Sequence, residues 1–269
     1  MLIIGECINA SNRTVAEAIA RRDREFIEGM TKAQAEAGAD FIDVNVGAGQ
    51  GTQGQEIEAI EWVVKTVQAV TDKPLAIDSD VPGIIEVALR TYGGDTVMIN
   101  SVNAEPERLE SIGPLAAKRK ALLVALAMGS EGIPDTVERR LEACEKILTS
   151  LTGMGMAAEQ VYFDPLVLPI SVDSKQGLVT LKTIEQIKAR YPAAKTIMGL
   201  SNISFGLPSR KSVNRAFLLM AAYVGLDAAI LDPRDDKTMS VVRISDMLIG
   251  KDALCKGYIK AYRQGKIVD

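Results

Sequence analysis

Leu75-Ala76-Ile77-Asp78-Ser79-Asp80-Val81-Pro82-Gly83-Ile84-Ile85-Glu86-Val87-Ala88-Leu89-Arg90-Thr91-Tyr92-Gly93-Gly94-Asp95-Thr96-Val97-Met98-Ile99 contains one complete structural alternation. The apolar run at 75–78 predicts a strand, the amphipathic stretch at 82–92 predicts a helix, and Gly93-Gly94 turns the chain into a second strand at 96–99. The unit repeats in both directions. Further strands are expected at 2–5, 41–46, 122–127, 161–164, 196–200 and 228–231. Helical periods fall at 25–37, 56–70, 107–117, 137–152, 177–190, 212–224 and 238–249, with a final amphipathic helix at 253–263. Gly38, Asp72-Lys73-Pro74 and Gly225 punctuate the joins. Eight alternations in order predict a parallel sheet wrapped by helices. That count, in 269 residues, favours a closed (β/α)8 TIM barrel forming one domain over 1–269.

Composition narrows the chemistry. Hydrophobic residues make up 47% and charged residues 25%, as in an ordinary globular protein. A net charge of −4 argues against a general nucleic-acid or membrane-surface binder. No apolar run approaches the length of a bilayer span. The start reaches Glu6 too early for a secretory signal, and Cys7, Cys144 and Cys255 are isolated thiols, so a reduced cytoplasmic setting is expected. Histidine is absent, which removes Ser-His-Asp hydrolysis, His-ligated zinc and imidazole proton shuttles. No metal is expected on this chain. The charged residues of helix 137–152 (Glu138, Arg139, Arg140, Glu142, Glu145 and Lys146) read as a solvated face.

In this fold the chemistry sits where strands end, at the C-terminal mouth of the barrel. The strands end on Glu6, on Asp43 with Asn45, on Asp78 with Asp80, on Asn100, on Asp164, on Ser201 with Asn202, and on Asp232. Lys73 and Lys195 lie at the opposite ends of their strands, which weakens a Schiff-base aldolase reading. Buried carboxylates are costly unless paired, so several together call for donors arriving with a ligand. A pterin supplies them, because its 2-amino group and ring N–H form an adjacent pair that a carboxylate accepts bidentately. Asp78, Asn100 and Asp164 could grip such a ring edge together. Any one of these residues serves equally well as a helix cap or turn former, Asn9 and Asn45 included. Cys7 reads equally as a thiol facing ligand or as a small buried apolar group.

Gly5-Glu6-Cys7-Ile8-Asn9, Asp43-Val44-Asn45-Val46-Gly47, Met98-Ile99-Asn100-Ser101-Val102-Asn103, Asp164-Pro165-Leu166 and Gly199-Leu200-Ser201-Asn202 occur in this order along the chain. Together they resemble the pterin-binding methyltransferases, in particular the methyltetrahydrofolate:corrinoid protein methyltransferases and the folate domain of cobalamin-dependent methionine synthase. The resemblance implies a dihydropteroate synthase-like barrel that moves a methyl group between N5 of tetrahydrofolate and the cobalamin of a separate corrinoid protein. It places the pterin on Asp78, Asn100 and Asp164, with Asn202 near N5 and Ser201 and Arg210 on the rim. Glu6 and Asp43 complete the binding set, and Asn202 and Asp78 are the catalytic candidates. It also implies a homodimer. Two alternatives stand beside it. Dihydropteroate synthase shares the barrel, but its departing diphosphate needs cations after strand eight, where this chain has Leu231-Asp232-Pro233-Arg234-Asp235-Asp236. A non-catalytic pterin-binding subunit would keep the binding residues without the exchange.

Overall fold

The computed structural model describes residues 1–47 and 52–268. Eight parallel strands close into a barrel in sequence order. They are β1 (Leu2–Asn9), β2 (Phe41–Asn45), β3 (Leu75–Asp78), β4 (Val97–Val102), β5 (Leu122–Leu126), β6 (Val161–Asp164), β7 (Lys195–Gly199) and β8 (Ala228–Leu231). β8 pairs back onto β1, joining Leu2 to Ala228 and Gly5 to Leu231. Around them run α2 (Arg24–Ala37), α3 (Gln53–Gln68), α4 (Pro82–Thr91), α5 (Pro106–Arg119), α6 (Val137–Gly153), α7 (Gln176–Arg190), α8 (Arg210–Tyr223) and α9 (Asp236–Leu248). The (β/α)8 TIM barrel expected from the alternation is the fold.

Local chemistry explains the joins. Asp23, Thr136 and Asp235 each accept a backbone N–H of the first helical turn, and Thr52 with Gln55 forms a capping box. Pro82 and Pro106 open α4 and α5, where the missing N–H costs nothing. α2 ends on Gly38 at φ 109°, a left-handed position that a residue with a Cβ adopts poorly.

Side chains alternate across each strand, so the barrel has two apolar populations. Ile4, Phe41, Ala76, Met98, Val124, Ile197 and Ala228 pack together along the axis. Their neighbours one residue away, such as Ile42, Ile77, Ile99, Leu123 and Phe163, pack outward against the helices. Two residues beyond six of the axial positions (Ile4, Phe41, Ala76, Met98, Tyr162 and Ile230) the side chains are Glu6, Asp43, Asp78, Asn100, Asp164 and Asp232. The interior therefore changes from hydrocarbon to carboxylate in one step along the strands.

The structure differs from the sequence expectations in three places. A further helix, α1 (Arg13–Ala20), follows β1. It is a short segment whose Val15, Ala18 and Ile19 are buried by neighbouring elements rather than by any long periodic pattern of its own. The terminal helix is broken: a 3-10 turn, Ala253–Cys255, precedes α10 (Lys256–Arg263) because Leu254 and Cys255 take positive φ. Arg140 is the third. The other charged residues named on α6 are exposed, but Arg140 is fully buried, so the solvated reading fails for it. No described helix is long and apolar enough to cross a membrane.

Candidate functional site

The polar layer begins with β2 and β3. Asp43 is 2% exposed, and its Oδ1 has no hydrogen-bond partner among the described residues. Burial pushes its carboxyl well above the usual range and the like charge of Asp78 adds to this. The Asn100 side chain opposes, and Glu6 raises it further. Asp43 therefore resists ionisation more than an ordinary aspartate. Asp78, half-buried, is also raised, first by burial and also by Asp80, against the hydrogen bond from Asn45. That bond runs from Asn45 Nδ2 to Asp78 Oδ2 at 2.8 Å. Asn100 is the register partner of Asp78 across β3 and β4, so the amide and the carboxyl sit side by side.

β6 contributes Asp164, pushed up to about 6 by burial although the Leu166 N–H and the Arg140 charge both favour ionisation. The Leu166 N–H reaches Asp164 Oδ1 at 2.7 Å, leaving Oδ2 free of any protein donor among the described hydrogen bonds. Glu6 on β1 accepts from Ser201 Oγ at 3.2 Å. Its carboxyl is raised by burial, lowered in part by Ser201, raised again by Asp232 and lowered by Arg210. Four acids in one layer thus resist ionisation, a cluster typical of a site built for a ligand.

β7 closes the ring differently. Its interior position is Gly199, where a Cβ would lie 3.3 Å from Asn202 Nδ2. The missing side chain lets the Asn202 amide fold back over the strand end. Asn202 sits on a 3-10 turn, Leu200–Ser204, and is exposed at the mouth. Arg210 staples that turn from outside: Nη2 donates to the Ser201 carbonyl at 2.7 Å and Nε to Ser204 Oγ at 3.1 Å, with the guanidinium 5.8 Å from the Phe205 ring centre. Arg210 braces the rim and is not part of the interior ring.

Four interactions were not foreseen. Asn45 serves both its possible roles at once, since its Oδ1 accepts the Gly47 N–H in a turn while its amide holds Asp78. Its interior parity with Phe41 and Asp43 was the available signal. Asp232 is paired with Arg234 at 2.8 and 2.9 Å, which overrides burial and lowers its pKa. Cys7 Sγ donates to Asp232 Oδ1 at 3.2 Å; burial and that carboxylate push the thiol far above its ordinary value. Arg140, with no sequence pattern to distinguish it from its solvated neighbours, braces the loop after Asp164.

A family model described as pterin binding enzyme matches residues 5–232. The chain is 36% identical over 269 residues to a methylcorrinoid:tetrahydrofolate methyltransferase of Eubacterium limosum, covering 99% of this chain and 98% of that protein. It is 33% identical over 244 residues to the methionine synthase of Mycobacterium leprae (strain TN), covering 86% of this chain but only 20% of that longer protein. Among solved structures, dihydropteroate synthase from Stenotrophomonas maltophilia superposes with a TM-score of 0.69 at 17% identity, over 94% of this chain and 93% of that one. The enzyme from Xanthomonas albilineans in complex with 7,8-dihydropteroate gives 0.66 at 20% identity, with the same coverage. These structural likenesses speak to the fold.

Proposed function

Since this chain belongs to the family of pterin-binding enzymes, we propose that it transfers a methyl group between N5 of tetrahydrofolate and the cobalt of a corrinoid held by a separate protein. The observation that carries this reading is the ring of acids with raised pKa values at the barrel mouth. These groups have acceptors to spare and few protein donors, and a pterin edge brings two adjacent N–H groups.

In this reading Asp164 accepts the 2-amino group and ring N–H, Asn100 matches the ring carbonyl and nitrogens, and Asp78, held by Asn45, takes the remaining donor edge. Glu6 and Asp43 line the pocket beneath, the buried Asp43 Oδ1 having no protein partner among the described residues. Ser201 orients Glu6, and Arg210 holds the turn that carries Asn202. Methyl transfer from N5 requires positive charge to build on a poor leaving group. The Asn202 amide oxygen accepts the N–H of the protonated amine and stabilises that charge without an imidazole. The corrinoid supplies the cobalt centre that takes or gives the methyl group. By microscopic reversibility one set of residues serves both directions.

Mixing the purified protein with methyltetrahydrofolate and reduced cobalamin, and following the absorbance of methylcobalamin, tests the proposal; methylcobalamin with tetrahydrofolate tests the reverse. Exchange in either direction is expected. Tight tetrahydrofolate binding with no exchange to free or protein-bound cobalamin would instead favour a non-catalytic subunit. Dihydropteroate synthesis is disfavoured by Arg234, whose guanidinium is already engaged by Asp232 and is poorly placed to receive a diphosphate. Formation of dihydropteroate from dihydropterin diphosphate and p-aminobenzoate would reverse that judgement.

A further inference from the structure

Arg140 is a fully buried guanidinium, and among the described residues no carboxylate lies within ion-pair distance of it. Burying an uncompensated charge is among the more expensive things a fold can do. Its N–H groups go instead to neutral acceptors. Nε donates to the Pro134 carbonyl at 2.9 Å, Nη1 to the carbonyls of Pro165 at 2.7 Å and Leu166 at 3.0 Å, and Nη2 to Gln176 Oε1 at 3.0 Å. Two of the four belong to the residues immediately after Asp164. Leu166 has φ 66°, a left-handed setting unusual for a leucine, and in that setting its N–H meets Asp164 Oδ1.

We propose that Arg140 is a positioning residue for the pterin site: it locks Pro165 and Leu166 so that the Leu166 N–H orients Asp164, and it sets a buried positive charge behind that carboxylate. The inference rests on the reading of Asp164 as the carboxylate that accepts the pterin donors. The groups acting on Asp164 are few. From α6 come Arg140 and Cys144, a thiol that burial pushes up to about 12 and that is therefore neutral. Asp135 acts on Arg140 from the preceding loop, and Asp173 holds Gln176 from the start of α7. The β5 register partner of Asp164 is the apolar Leu126. Arg140 is the one cation in this set, and a plain loop brace would not require a cation.

The test measures tetrahydrofolate affinity against pH, anaerobically, between about pH 5 and 8.5, with thermal melting of each variant alongside. In the native protein affinity falls below the pH where Asp164 takes up its proton, about 6. Arg140→Gln is expected to move that midpoint upward by about one pH unit. Arg140→Lys, which keeps the charge but not the fork, should leave the midpoint near its native place while weakening binding at every pH. Gln176→Glu preserves side-chain size and pairs Arg140 with a carboxylate, at the cost of the hydrogen bond to Asp173, so it too should raise the midpoint, and with its melting temperature measured alongside it decides the matter if Arg140→Gln does not fold. An unchanged midpoint in folded Arg140→Gln or in Gln176→Glu would overturn the proposal while leaving the pterin site intact. Native affinity in Asp164→Asn would remove the site reading itself, and this inference with it.

Discussion

The Asn45 amide donates to Asp78 Oδ2 at 2.8 Å while the oxygen of the same amide accepts the Gly47 N–H at 2.8 Å. One side chain thus ties the end of β2 to the carboxylate at the end of β3. The second bond sets which way the amide faces, so the first always presents an N–H to Asp78. Asp78 is consequently held in one orientation at the barrel mouth.

Replacing Asn45 by alanine is therefore expected to weaken tetrahydrofolate binding by about tenfold or somewhat more. Hydrogen bonds to charged groups contribute about 1.5–3 kcal/mol, and 1.4 kcal/mol is roughly a factor of ten. The loss should grow as pH falls, because removing the amide leaves Asp78 easier to protonate. Calorimetry at two pH values checks this; equal affinity in native and variant protein would contradict the role given to Asn45.

Asn202 and Asp164 should separate cleanly. Asn202 is exposed on the rim over Gly199, whereas Asp164 ends β6 in the interior layer. Asn202→Ala is expected to slow methyl exchange on the order of a hundredfold, as for loss of one preorganised charge-stabilising group, with a much smaller change in folate affinity. Asp164→Ala should chiefly abolish binding. Stopped-flow exchange combined with equilibrium binding gives both quantities, and parallel losses in the two variants would count against the assignment.

Stability should follow pH through Asp164. Its carboxyl titrates at about 6 when folded and at about 3.9 in an unfolded chain. The folded state holds the proton more tightly, so this contribution is fully present below about pH 4 and is lost as pH rises through about 6. The amount is on the order of 1–3 kcal/mol, allowing for the partly open mouth. Asp164→Asn keeps the acceptor for the Leu166 N–H and carries no charge. It should melt higher than the native protein near pH 8 while binding no folate, the exchange of activity for stability seen at many sites. A lower melting temperature at that pH would refute this.

The three thiols should differ in reactivity. Only the thiolate is a nucleophile. Cys144 is buried with a pKa pushed up to about 12, Cys7 is raised further by burial and Asp232, and Cys255 is exposed. Iodoacetamide at about pH 8 should modify Cys255 first, as read by mass spectrometry of peptides. Asp232→Asn removes the neighbouring negative charge and should accelerate modification of Cys7. Rapid modification of Cys7 in the native protein would show that its thiol is not held as described.

Much of the molecule was legible in the sequence because its signals are local. An apolar run followed by an amphipathic stretch needs no tertiary information, and its eight recurrences leave few folds open. Glu6, Asp43, Asp78, Asn100 and Asp164 were legible for a related reason: strand alternation sends every second side chain to the same face, so an acid two residues after an axial apolar residue lies at the mouth. Helix α1 escaped because eight residues carry too short a period to stand out. Arg140 escaped because the sequence around it, Glu138-Arg139-Arg140-Leu141-Glu142, looks the same whether a given arginine faces water or protein.

By itself, then, the chain order of hydrophobic and polar residues determined the barrel and the ring of interior acids, since both arise from backbone periodicity. Closure of the barrel decided the rest. It placed Asn45 against Asp78, folded Asn202 over Gly199, joined Cys7 to Asp232 across 225 residues and enclosed Arg140 behind Asp164. Each of those contacts unites groups distant in sequence or on different elements. Their distances, and the proton affinities that follow from them, exist only once the strands are in register and water has been displaced from between them.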